Sequence, residues 1–77
     1  MNIEKRVIPY RIKQARVSRG LSMVELSELV SVSKQAISQY EMGKNEPGKA
    51  ILNSIALVLK YPVSFFYKPV SVYTEAV

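Results

Sequence analysis

Two helix starts eleven residues apart, at Ser22 and Ser33, constrain this chain more than any other feature. So little sequence lies between them that only a short helix and a tight turn fit. Ser22 is followed three residues later by Glu25, the spacing of a capping box, in which each side chain satisfies a backbone N–H of the first turn. Leu26, Leu29 and Val30 then fall at i, i+3 and i+4 and form one apolar stripe. The pattern breaks at Ser31-Val32, and Ser33 supplies the second N-cap. Beyond it Ile37 and Tyr40 recur three apart, while Lys34, Gln35, Ser38 and Gln39 occupy the other faces of the second helix.

Two short helices joined by a tight turn form a helix-turn-helix motif, whose second helix enters the major groove of DNA. Lys34, Gln35, Ser38 and Gln39 are therefore the candidates for reading bases. Gln35 has the donor and acceptor for a bidentate pair with adenine, and Lys34 can donate to guanine O6 and N7. Taken by residue type alone, the same four side chains would pass for a solvated helix face. Ser33 caps its helix in either case. As a functional residue it also meets a phosphate, through its hydroxyl or the N–H groups of the helix start.

With 77 residues the chain has room for one small domain. A hydrophobic fraction of 48% without a period of two points to a compact all-α bundle rather than to disorder, and five helical stretches can be counted along the chain, a five-helix domain. Having neither cysteine nor histidine, the sequence offers no disulfide staple and no structural zinc site, and no cofactor is implied. The carboxylates do not pair on one face, and no glycine-rich phosphate loop is present, so an enzyme is not expected. The apolar runs are too short for a bilayer and the N-terminus lacks the apolar stretch of a signal peptide, which predicts a cytoplasmic protein with no membrane partner. The net charge is +5, and six basic but no acidic residues lie between Lys5 and Arg19. Such a block is the electrostatic footprint of a nucleic-acid binder, although a solvated helix face explains a charge run equally well. Arg11 and Lys13 are its phosphate candidates.

In order, residues 1–7 read as an N-terminal arm, 8–68 as the helix-turn-helix domain and 69–77 as a tail or linker. Pro9 opens the first helix, where its missing N–H does no harm, and Ile12 and Ala15 line its inner face with Arg16 at the edge. Gly20 and Gly43 are helix-ending glycines. Lys44 to Gly48 is a loop by composition. From Lys49 to Lys60, the residues Ile51, Leu52, Ile55, Ala56 and Leu59 give a dense core stripe. Ser64 is placed to cap a last short helix carrying Phe65, Phe66 and Tyr67, and Pro69 stops it. Val70, Val72, Tyr73 and Val77 make the tail more apolar than a solvated end requires.

The string Gly20-Leu21-Ser22, Glu25-Leu26-Ser27, Val32-Ser33, Ile37-Ser38, Glu41, Gly43 and Pro47 resembles the lambda-repressor-like proteins, also called the XRE or Cro-and-cI family. The likeness runs from about Pro9 to Phe66. It implies sequence-specific double-stranded DNA binding by a transcriptional regulator of bacterial or phage type, a repressor working as a homodimer on a pseudo-palindromic operator. It further implies backbone contacts from Lys44 and Asn45, and an internal ion pair between Arg16 and Glu41. Two positions depart from the family pattern. Met23 stands where a phosphate-binding glutamine is common, and Ser31 where glycine is common, so Ser31 is expected to take a positive φ. The segment Pro62 to Pro69 also resembles the junction of such domains with ImmA/IrrE-like metallopeptidases, which would make the chain the N-terminal interaction module of a longer sensor protein.

Overall fold

The computed structural model describes residues 6–70. Four α-helices follow one another as α1 (Pro9–Ser18), α2 (Met23–Val30), α3 (Lys34–Met42) and α4 (Lys49–Leu59). The anticipated fifth helix, Val63–Tyr67, is a single 3-10 segment. Between Pro62 and Pro69 too few residues remain to establish α-helical i→i+4 bonding. Ser64 makes no cap there, because the segment starts one residue earlier with Pro62 in the capping position. Among the described residues there is no strand.

Local chemistry sets the helix starts. Pro9 begins α1, the Ser22–Glu25 capping box begins α2, and the Ser33 hydroxyl accepts the Ala36 N–H to begin α3. All four helices terminate at a left-handed residue: Gly20, Ser31, Gly43 and Lys60, with φ of 72°, 60°, 77° and 61°. After each, the following N–H reaches back five residues: Leu21 to Arg16, Val32 to Ser27, Lys44 to Gln39 and Tyr61 to Ala56, at 2.9 to 3.2 Å. This Schellman closure satisfies carbonyls that a helix end otherwise leaves bare. At Gly43 space matters as well as φ, since an added Cβ would stand 3.3 Å from Pro9 Cγ.

Every element contributes to one core. Ile12 and Ala15 from α1, Leu26 and Val30 from α2, Ile37 and Tyr40 from α3, and Leu52, Ile55, Ala56 and Leu59 from α4 are buried, with Phe66 closing the end. Phe65 is only half-buried and stacks against Tyr61 at 4.5 Å between centroids. Leu29 is a correction: it is 56% exposed, and Ser27 turns inward in its place, donating to the Val24 carbonyl at 2.7 Å. The buried face of this two-turn helix centres on Leu26, Ser27 and Val30, which leaves Leu29 on the flank. Met23 lies half-buried against the core.

Both ends of the fold are tied in. Val7 is buried and its N–H donates to Glu46 Oε2 at 3.2 Å. Ile8 N–H donates to the Phe66 carbonyl at 2.8 Å. The arm residues before Arg6 and the tail residues Val72, Tyr73 and Val77 lie outside the described residues.

Candidate nucleic-acid interface

The core orients α3. Ile37 and Tyr40 are held inside, so Lys34 and Gln35 project into solvent while Ser38 and Gln39 sit half-buried on the flank. At the helix start, Ser33 Oγ accepts the Ala36 N–H at 3.0 Å and its carbonyl accepts the Ile37 N–H at 3.2 Å. The N–H groups of Lys34 and Gln35 reach no acceptor among the described residues, so they point outward from the positive end of the helix. The Ser33 hydroxyl proton stays available to an external acceptor. Ser38 makes only a weak contact with Met42 Sδ at 3.5 Å.

At the far end of α3 the chain folds back on Gln39. Its carbonyl accepts the N–H of Lys44 at 2.9 Å and of Asn45 at 3.4 Å. Its side-chain Oε1 accepts from Asn45 Nδ2 at 2.7 Å. Lys44 and Asn45 are exposed immediately beyond the helix. The structure therefore brings Lys34, Gln35, Ser38 and Gln39 together on one helix, with Ser33 at its start and Lys44 and Asn45 at its end.

Arg16 and Glu41 meet in an enclosed pair. Arg16 Nε lies 2.6 Å from Glu41 Oε2, and Nη2 donates to Oε1 at 3.0 Å. The side chains retain only 10% and 3% of their exposure. Nη1 donates to the Leu21 carbonyl at 2.8 Å, so one guanidinium fastens α1, the α1–α2 connection and the end of α3. Hydrogen bonding to Glu41 outweighs desolvation and raises the Arg16 pKa above its ordinary value.

Three arginines of the basic block, Arg11, Arg16 and Arg19, spend their guanidinium groups on acceptors within the fold. Arg11, expected at phosphate, donates from Nε to the Lys68 carbonyl at 2.9 Å and from Nη2 to the Pro69 carbonyl at 3.0 Å. It also donates to Gln14 Oε1 at 2.7 Å and lies 4.9 Å over the Phe65 ring. Arg19 repeats the device on α4, donating to the Leu59 and Lys60 carbonyls at 2.6 and 3.1 Å over the Tyr61 ring at 4.6 Å. A planar fork that caps carbonyls while stacking on an aromatic face is a use that suits arginine and not lysine. Sequence reading missed both, although the arginines of the first helix and the aromatics of residues 61–67 were each visible. Lys13 is exposed beside Tyr10 and Val17 on the outer side of α1.

A helix-turn-helix family model matches residues 12–66. Two uncharacterized HTH-type transcriptional regulators, from Sinorhizobium medicae and Rhizobium meliloti, are each 38% identical over 58 residues, 75% of this chain and 42% of theirs. The transcriptional regulator ClgR of Mycobacterium tuberculosis is 34% identical over 53 residues, 69% of this chain and 47% of its own. The chain thus spans less than half the length of these relatives. Among solved structures, the biofilm regulator SinR in complex with DNA is 34% identical, with a TM-score of 0.71 over 75% of this chain and 97% of that one. The P22 c2 repressor in complex with a synthetic operator is 27% identical, with a TM-score of 0.76 over 82% of this chain and 96% of its own. None of these descriptions names a peptidase, and the anticipated link to ImmA/IrrE-like proteins finds no support in them.

Proposed function

The chain belongs to the helix-turn-helix family HTH_3, and from that premise we propose that it is the sequence-specific, double-stranded DNA-binding part of a transcriptional regulator, with α3 in the major groove. The observation that carries this reading is the division of α3 into two faces. Ile37 and Tyr40 anchor one in the core, and Lys34, Gln35, Ser38 and Gln39 present donors and acceptors on the other. Ser33, the outward N–H groups of the first turn, Lys44 and Asn45 contact phosphate at the two ends of the helix. Lys13 contributes charge from α1. Arg11, whose guanidinium donates to Lys68, Pro69 and Gln14, is the weakest of the phosphate candidates.

One recognition helix reads only a few base pairs, so the regulator acts as a homodimer on a pseudo-palindrome with half-sites about 34 Å apart. It works in the cytoplasm, as a repressor of bacterial or phage type. No helix among the described residues is long and apolar enough to cross a membrane.

The test is selection of bound duplexes from a random pool, followed by titration of the parent chain and Gln35→Ala on the selected and a scrambled duplex. Gln35→Ala is expected to weaken the selected duplex by about 1–3 kcal/mol and leave the scrambled one unchanged. Equal losses on both would show that Gln35 does not read sequence, and no enrichment at all would sink the DNA reading.

A further inference from the structure

The side-chain bond between Gln39 and Asn45 bears on which bases α3 can accept. A free glutamine carboxamide is ambivalent: its oxygen accepts, its nitrogen donates, and rotation exchanges the two. Adenine is matched by using both at once, against N6–H and N7. Guanine, with O6 and N7, and thymine, with O4, show acceptors at these positions and want donors alone.

Here the choice is made before any partner arrives. Asn45 Nδ2 donates to Gln39 Oε1 at 2.7 Å. Asn45 is itself held in place, because the chain reverses at Gly43 and brings the N–H groups of Lys44 and Asn45 onto the Gln39 carbonyl at 2.9 and 3.4 Å. The main chain and side chain of Gln39 are thus both bound by the same two-residue segment. With Oε1 turned toward Asn45, the Nε2 amide protons are the part of Gln39 left for a ligand.

We infer that Asn45 is a positioning residue that fixes the Gln39 carboxamide with its donors outward, so that Gln39 selects guanine or thymine over adenine at the base pair it meets. The inference rests on the proposed DNA-binding role of α3 and adds a direction to it. Asn45 was expected only as a backbone contact, and a phosphate-contacting asparagine would carry no base preference.

The test is a set of parallel selections from a random duplex pool with the parent chain, Gln39→Ala, Asn45→Ala and Asn45→Asp. Gln39→Ala identifies the base pair concerned as the one whose preference it erases. At that position the parent is expected to favour guanine or thymine over adenine by about tenfold, within the range of a well-formed base contact. Asn45→Ala frees the carboxamide to rotate, and the ratio should fall to within about twofold of parity. Asn45→Asp is the sharper arm. A carboxylate only accepts, so Gln39 must turn its Nε2 toward residue 45 and its oxygen outward, and preference should pass to adenine and cytosine, whose exocyclic amines donate. Because the readout is a ratio between bases, the general loss of affinity caused by the added negative charge does not enter it. Asn45 variants that weaken binding uniformly with unchanged base ratios would overturn the inference and leave Asn45 as a backbone contact. A parent that already favours adenine at the Gln39 position would overturn it too. Absence of any enriched sequence with the parent would instead overturn the DNA reading, and this inference with it.

Discussion

Three single positions hold information that their residue types do not display. Glu41 is one. Paired with Arg16 at 3% side-chain exposure, it balances a charge that cannot otherwise be solvated. Glu41→Ala should therefore destabilise the domain by about 3 kcal/mol or more, read as a lowered denaturant midpoint, while a change below about 0.5 kcal/mol would mean the pair is open to water in solution. Ser31 and Gly43 form a contrasting couple, for both are left-handed helix ends. Ser31 is exposed and its Cβ works against its backbone, so Ser31→Gly should raise stability by up to about 1 kcal/mol. Gly43→Ala should lower it by at least as much, since φ is 77° and the new Cβ would press on Pro9. Thermal melts of the two variants should move in opposite directions. The hydrogen bond from Glu41 raises the Arg16 pKa, so the stability this contributes is fully present below the ordinary arginine value and is lost as pH climbs from there through the raised one.

At the scale of elements, legibility followed from whether the determining interaction was local. The capping box at Ser22, the cap at Ser33, Pro9 at the head of α1 and the glycine ends are each decided within a few residues, and the sequence displays them. Lys60 was not legible as a left-handed end, because nothing in a lysine announces that conformation. The cause sits two residues on, where Pro62 excludes the helical region for Tyr61 and obliges α4 to close before it. Leu29 misled for a related reason: a two-turn helix offers too few positions for periodicity to fix the centre of its buried face. Arg11 and Arg19 were legible as charge but not as structure, since their carbonyl partners stand some 40 to 58 residues away in sequence. Arg19 serves as the missing C-cap of α4. Arg19→Ala should cost about 1 kcal/mol and speed amide exchange at the end of α4, whereas Arg19→Lys should recover little, because an ammonium cannot fork across two carbonyls above Tyr61.

For the whole molecule, the net charge of +5 overstates what is available to a polyanion. Arg11, Arg16 and Arg19 are occupied within the fold, and the proposed contact set draws on Lys13 of α1 together with Lys34 and Lys44. Binding to DNA should therefore fall with salt at a slope of about −2 to −3 in log affinity per log salt for each chain, about twice that for a dimer on one operator. Titrations across salt concentrations would read this directly, and a slope near zero would remove the phosphate contacts. The hydrogen bond from Ile8 to Phe66 has a different kind of consequence. A fold whose first and last elements already touch can be made endless: joining Val77 to Met1 through a peptide bond would create a ring without prising the domain apart. Such a ring restricts the unfolded chain more than the folded one, so it should gain on the order of 1 kcal/mol and melt higher than its linear parent.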